Sequence, residues 1–311
     1  SGRIFPKSLK ASPLLRAWLE RLGGLGVELR RGYRWTGWSA GGAAIFETAE
    51  GGRVEIEAPA MMLALGGASW PRLGSDGSWV AVLEAAGVSV SPLVPSNAGV
   101  AIRWSAVFAE RFAGHPLKRI ALASGADRVR GEAVITRGGL EGGAVYALNA
   151  AIRNALAREG GGPVPISIDL RPDLDVAEVA RRLAVPRGKQ SVATYLRKTL
   201  ALAPVDIGLL REATGNALPA EIEALARLVK GVRMEVDGFA GLARAISTAG
   251  GIRRESIDAD FMLRARPGVF VAGEMIDWDA PTGGYLLQAT LATAVQAARG
   301  VERWLARASS T

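Results

Sequence analysis

Cysteine is absent from the 311 residues and histidine occurs once, at His115. The first absence excludes disulfides, thiolate metal sites and a cysteine nucleophile. The second leaves little room for a histidine-based zinc centre or a Ser-His-Asp triad, because AGHPLKR lies far from any elbow-like serine. No run approaches the apolar length of a membrane span, and the opening SGRIFPKSLKASP has no signal-peptide core. A cytoplasmic protein is the default expectation. Long single-sign charge runs are also missing. Lys+Arg 38 against Asp+Glu 30 gives +8, but the basic residues are spread along expected helices. This pattern fits a solvated basic surface or attraction to small anions, and no nucleic-acid partner is expected. His115 is expected on a surface loop.

What is present is a chain with 49% hydrophobic residues, long enough for two domains and a small third. Leu14, Leu15, Trp18, Leu19 and Leu22 predict a helix over 12–22, with Ser12 as N-cap and Pro13 at the first helical position. Alternating runs separated by glycine pairs predict a meander, followed by a buried strand over 60–65 and a helix over 77–86. Between them, LGGASWPRLGSDGSW places Gly66 and Gly67 at a tight strand-to-helix turn, which taken alone is an ordinary α/β connection.

The two prolines of PLVPSN read as a domain boundary. Strand candidates at 99–104, 117–123, 133–136 and 164–169, interrupted by a helix over 144–157, then suggest a barrel-like antiparallel domain. Helical spacing over 176–183, 189–201, 206–214 and 219–228 predicts a small helical unit whose Lys and Arg residues read as a solvated face. GVFVA at 268–272 reads as a central parallel strand, and 285–298 as a largely buried helix.

The stretch between that strand and helix carries the chemistry. Thr282, Gly283 and Gly284 open the helix, whose first turn offers unpaired N–H groups and the positive end of the macrodipole. Glu274 and Asp277 lie just past the strand, where ligands of open α/β sheets collect. Carboxylates there repel phosphate and suit hydroxyls, so a ligand carrying both is expected. The alternative is a turn made by Asp277 or Asp279 and a simple cap by Thr282.

GRIFPKSLKAS at 2–12, LALGGASWPRLGSDGSW at 63–79, ITRGGLEGGAVYALN at 135–149, ISTAGGI at 246–252 and PGVFVAGEMIDWDAPTGGYLLQA at 267–289 together resemble the HI0933-like flavoproteins. These are FAD-dependent oxidoreductases with bile-acid-reductase-like and aminoacetone-oxidase-like members. The resemblance runs through essentially the whole chain in matching order.

It implies a mixed α/β and α+β multidomain fold: a Rossmann-like FAD-binding domain of the two-dinucleotide-binding type, with an inserted β-barrel and a helical subdomain. The implied division is 1–95 and 249–311 for the flavin domain, 96–171 with a return strand over 231–248 for the barrel, and 172–230 for the helices. By the same resemblance Leu65, Gly66, Gly67 and Ala68 border FAD, and Gly273 and Glu274 approach its ribityl-pyrophosphate portion. Asp277, Thr282, Gly283, Gly284, Tyr285, Leu287 and Gln288 meet the ribityl and isoalloxazine region. Tyr285 either lies beside the ring or packs with its hydroxyl bonded. Arg3 with Lys7 or Lys10 either holds an anion or forms a basic surface.

The implied activity is hydride transfer through flavin N5 with a small-molecule substrate, an amine, hydroxy or unsaturated or keto compound. NADH or NADPH is a possible reductant, and the protein is expected as a monomer or homodimer away from membranes. No catalytic residue and no metal ligand is assigned. A degenerate, non-catalytic flavin fold and a nicotinamide-only dehydrogenase are the alternatives.

Family members begin with a strand, GxGxxG turn and helix that hold the ADP half, and Ser1 enters the pattern after them. Residues 1–311 alone are therefore expected to hold FAD poorly. Leu286 stands where the family's GGYNLQ has Asn, and TRGGLEGG lacks the His and Pro of THxGxSGP.

Overall fold

The computed structural model describes residues 4–308. The chain opens with α1 (Ala11–Gly24), then a three-stranded antiparallel meander of β1 (Tyr33–Trp38), β2 (Ala44–Thr48) and β3 (Arg53–Ile56), and then β4 (Met61–Leu63). The expected cap shifts: Lys10 precedes α1 and makes no side-chain cap, so Pro13 falls third, still in the first turn where its missing N–H costs nothing. None of the α1 residues is buried.

Next come α2 (Trp79–Ala85), β5 (Val90–Ser96), β6 (Val100–Ala101) and α3 (Ala106–Phe112). The sequence reads PLVPSN as a boundary, yet most of it is β5. The prolines survive there because β5 pairs only with one partner, leaving an edge, and because the ladder bulges where Pro92 and Leu93 lie.

β7 (Pro116–Ser124), β8 (Asp127–Thr136), β9 (Gly139–Glu141), α4 (Gly143–Ala147), α5 (Asn149–Arg158) and β10 (Val164–Asp169) follow. The single helix expected over 144–157 is broken at Leu148, whose φ and ψ of −99° and 2° leave the helical region. Just beyond, the Asn149 side chain bonds Val145 O and Ala98 O. Four helices come next: α6 (Val176–Leu183), α7 (Val192–Leu200), α8 (Pro204–Ala213) and α9 (Ile222–Lys230). Asp175, Ser191 and Glu221 cap α6, α7 and α9 by accepting from the amides of Glu178, Thr194 and Ala224, and Pro204 opens α8. The chain ends with β11 (Val232–Val236), β12 (Gly238–Phe239), β13 (Ser247–Ile252), β14 (Val269–Val271) and α10 (Tyr285–Ala308).

The expected inserted barrel becomes an open antiparallel sheet of seven strands in the order β11-β10-β7-β8-β9-β6-β12. β11 and β12 are one extended segment interrupted at Asp237. Its first part pairs with β10 and its second with β6, so the sheet ends are joined through one segment while no ladder closes them. The sheet and four helices share one hydrophobic cluster running from Val100 to Val236. A second cluster joins Trp35, Leu63, Trp79, Leu83, Ile252, Val271 and Met275, drawing on both ends of the chain. At its centre β4 and β14 pair in parallel, with Met61, Met62 and Leu63 opposite Val269, Phe270 and Val271. Among the described residues no helix is long and apolar enough to cross a membrane.

Candidate functional site

The site begins where β4 and β14 stop. Parallel strands end on the same side of a sheet, so the turns after them, 65–68 and 273–277, come together. Gly66 has φ +74° and Gly273 φ +74°, a left-handed conformation that costs glycine nothing.

Glu274 joins three segments. Its Oε2 accepts from the Gly67 amide at 3.2 Å and its Oε1 from the Thr248 amide at 2.8 Å. Thr248 is buried, and its Oγ1 accepts from the amides of Ala68 (2.9 Å) and Ser69 (3.1 Å). A Cβ on Gly67 would stand 2.4 Å from that oxygen, so the second glycine of the LGG turn exists to admit Thr248. Both Glu274 oxygens therefore hold the protein's own backbone, and the carboxylate shapes the turn from within.

β13 explains the ISTAGGI motif. The strand is wholly buried, between β5 on one side and residues 276–278 on the other, through bridges Gly250 to Trp278 and Ile252 to Ile276. A Cβ on Gly250 would meet Pro92 O at 2.1 Å, and one on Gly251 would meet Met275 O at 2.4 Å. Two backbones approach so closely that only glycine fits between them.

Asp277 is exposed, and its Oδ2 accepts from Ser91 Oγ at 2.6 Å, a hydroxyl that in turn accepts from Arg253 Nε at 3.1 Å. Asp279 instead ties the loop to the inserted unit: Oδ1 accepts from Ser96 Oγ, and Oδ2 pairs with Arg153 at 2.7 Å. Asn97 adds bonds to Ser247 Oγ (2.6 Å) and Ala280 O (2.7 Å), and Asn149 clasps Ala98 through both its N–H and C=O. Thr248, Asn97, Asn149 and Arg153 escape sequence reasoning. Thr248 and Asn149 lie inside motif stretches that hinted at them, whereas Asn97 and Arg153 lie outside those stretches, and a polar residue between apolar ones carries no periodic signal.

Thr282, Gly283 and Gly284 form an exposed turn, with φ +106° and +98° at the two glycines, and Gln288 N donates to Gly284 O at 3.0 Å to start α10. The helix is anchored on the strand end: Gly273 N donates to Thr293 Oγ1 at 3.0 Å. Tyr285 and Leu287 are 65% and 63% exposed. Leu65 is half-exposed, its amide donating to Met275 S at 3.2 Å. The structure thus brings 65–68, 248 and 273–274 into direct contact and sets Asp277 and the 282–288 turn on adjoining segments. Lys7 and Lys10 are exposed, and Arg3 lies outside the described residues. His115 is exposed on its loop, with Nδ1 3.2 Å from Phe112 O.

Two observations bear on whether a flavin nucleotide fits. A Cβ on Gly284 would meet nothing within 4 Å, so the turn at the positive end of α10 opens onto free space. Ser75 Oγ, against Gly66, is buried without a hydrogen-bond partner among the described residues. Glycine turns, a free helix start and an unsatisfied hydroxyl suit a ligand rich in phosphate and hydroxyl groups. Among the described residues no group of three or more His, Cys, Asp or Glu is arranged to hold a metal ion.

Parallel strand ends, glycine turns and a helix start converging in this way define a Rossmann-type nucleotide-binding protein. The model of the HI0933-like protein Rossmann domain matches residues 1–300, and the chain belongs to that family of flavoprotein oxidoreductases. It is 25% identical over 311 residues to a 3-dehydro-bile acid delta(4,6)-reductase of Clostridium scindens, covering 96% of this chain and 75% of the relative. Among solved structures, 3-ketosteroid delta1-dehydrogenase from Sterolibacterium denitrificans, in complex with 1,4-androstadiene-3,17-dione, aligns with TM-score 0.37 and 16% identity over 83% of this chain and 56% of that one. The 3-ketosteroid-delta4-(5alpha)-dehydrogenase from Rhodococcus jostii RHA1, in complex with 4-androstene-3,17-dione, aligns with TM-score 0.40 and 16% identity over 94% and 63%. The chain spans less than two thirds of either of these structures.

Proposed function

We propose that this protein binds FAD at the junction of β4, β14 and α10 and uses it to move a hydride to or from an unsaturated or keto compound. The observation that carries this reading is the open Thr282-Gly283-Gly284 turn at the start of a 24-residue helix, set beside the paired strand ends. The activity of the Clostridium scindens relative favours an unsaturated ketone over an amine as substrate. Bound FAD supplies a two-electron centre that accepts or gives a hydride.

The chain's own residues bind and orient. Amides of the first α10 turn favour negative charge brought near them, and the glycines leave that approach clear. Gly66, Gly67, Ala68 and Gly273 present backbone to the ligand, Leu65 and Leu287 offer apolar surface, and Tyr285 and Gln288 stand at the mouth. Asp277, with Oδ2 already fixed by Ser91, has Oδ1 for a ligand hydroxyl. Glu274 acts by holding the 67–68 turn in place.

Purified full-length protein should be yellow, with flavin absorbance in the blue. Gly284→Val should lose the flavin while keeping its far-UV circular dichroism, because the new side chain meets only open space and the φ of +98° costs about 1–3 kcal/mol. Flavin content unchanged in that variant refutes the placement, and a colourless wild type refutes the reading. Anaerobic bleaching by NADH or NADPH, followed by reoxidation with alicyclic enones, identifies the reductant and an enone acceptor, whereas bleaching of the oxidised protein by amines identifies an amine donor.

A further inference from the structure

A cavity of about 660 Å³ lies among α3, α7 and α8 in the inserted unit, and it includes no residue of the flavin-binding motifs. Its size is that of a small-molecule site. Phe108, Phe112 and Ile207, all buried, supply its apolar wall. Gly208 makes that wall possible: a Cβ there would fall 2.3 Å from Phe112 Cε2, so the ring lies directly against the α8 backbone.

Three guanidinium groups line the same space: Arg111 from α3, Arg197 from α7 and Arg211 from α8. The charges come from three separate helices, of which the two in the helical unit read from the sequence as carrying solvated faces. Elsewhere the protein pairs many of its arginines, as at Arg103 with Asp237, Arg153 with Asp279 and Arg303 with Asp260. Around this cavity the one carboxylate is Glu212, and it is already engaged: Oε1 accepts from Ser105 N at 2.5 Å and Oε2 from Ser105 Oγ at 2.7 Å. Arg111 sits over the Phe112 ring at 5.3 Å, an arrangement that leaves its N–H edge for an acceptor. Three cations against one engaged anion, over an aromatic wall, form an environment complementary to an apolar molecule with an anionic end.

We propose that this cavity is a binding site for a small amphipathic carboxylate, with its apolar body on Phe108 and Phe112 and its carboxylate among Arg111, Arg197 and Arg211. The site is independent of the flavin reading. Charge-assisted bonds from guanidinium groups set its selectivity for an anion over a neutral molecule of the same shape.

Calorimetric titration of the full chain with octanoate and 4-phenylbutyrate, against octanol and octylamine, tests this. One equivalent of either carboxylate should bind, octanol more weakly and octylamine not at all. Arg197→Gln with Arg211→Gln changes two exposed side chains and should weaken carboxylate binding about tenfold or more while leaving octanol unchanged. Ala193→Trp, which fills the space from α7, should abolish binding of both, with circular dichroism confirming the fold. Octanol binding as tightly as octanoate overturns the proposal, as does full affinity in the double variant or the absence of any saturable heat. Carboxylate binding that shifts the flavin spectrum places the ligand at the cofactor and also overturns it, whereas loss of flavin alone does not.

Discussion

The inserted unit and the nucleotide-binding part are held together by different means. In the insert, Leu117, Ile120, Leu122, Ile135, Leu140, Ile152 and Ile168 are completely inaccessible, and strands adjacent in sequence pair β7 to β8 to β9. Apolar periodicity does the organising there. In the nucleotide-binding part, segments some two hundred residues apart meet through single backbone approaches and side-chain bonds, as Gly67 with Glu274 and Ala68 with Thr248. α1 buries nothing, and the first half of α10 shows Tyr285, Leu287, Leu291 and Val295 to solvent. A binding part needs exposed backbone and close approaches, so its order rests on a few exact contacts rather than on a broad core.

The largest effect should come from breaking one of those contacts. Gly251→Val forces a branched side chain to within 2.4 Å of Met275 O at φ +132°. The cost should exceed about 4 kcal/mol, because neither strand can move without parting β13 from its neighbours. Hydrogen exchange should then show β4, β13 and β14 unprotected and the seven-stranded sheet still protected. Equal loss in both regions would show that the two do not fold as separable units.

The insert has its own polar anchor, and attacking it should produce the opposite pattern. Lys230 Nζ lies 2.7 Å from Asp169 Oδ2, both nearly buried, and also donates to Arg171 O at 2.6 Å. Lys230→Met leaves Asp169 with Arg128 at 2.5 Å as its paired cation and with the more distant charge of Arg171. The loss should be about 3 kcal/mol, the low end for breaking a buried pair, read as a lower urea midpoint. Exchange protection should fall first in α9 and β10, with β13 and β14 unaffected.

The same contrast decides what the sequence could reveal. Helices α6, α8 and α9 and strands β7 and β10 are legible within a few residues, because apolar spacing and caps such as Asp175 report local preference. β5 is not legible: its prolines argue against a strand, and only the distant β13 makes it one. At the site, the glycine turns and the start of α10 are visible as motifs, whereas Thr248 and the inward turn of Glu274 need the partner segment in place. A carboxylate after a strand reads as a ligand for hydroxyls, and its bonds to the Gly67 and Thr248 amides are visible only once both segments are in place.

Acid provides the finest comparison, because carboxylates in the two parts are shifted in opposite directions. Asp76, in the loop facing Gly66, is lowered from 3.8 to about 2 by hydrogen bonds from the Ser78 side chain and amide and by Arg34 at 3.0 Å. Its ionised form is worth more folded than unfolded, so its contribution is complete above pH 3.8 and disappears as pH falls toward 2. Asp206 in α8 is raised by burial, partly offset by the Ala203 amide and Arg171, so its contribution is present in acid and lost as pH rises through its folded value. Asp76→Asn should therefore lower the urea midpoint at neutral pH by less than about 1 kcal/mol of stability, the scale of a partly exposed pair. The difference from wild type should close between pH 3.8 and 2. Glu178, also held near 2 by Arg181 and Arg182, titrates in the same window but belongs to α6. Exchange at Ser78 and Trp79 separates the two: protection there should follow Asp76 alone and be indifferent to Glu178→Gln. A difference between wild type and Asp76→Asn that persists at pH 2 would mean that Asn fits the bond from the Ser78 amide less well for reasons other than charge. The nucleotide-binding part would then owe its acid response to some other group.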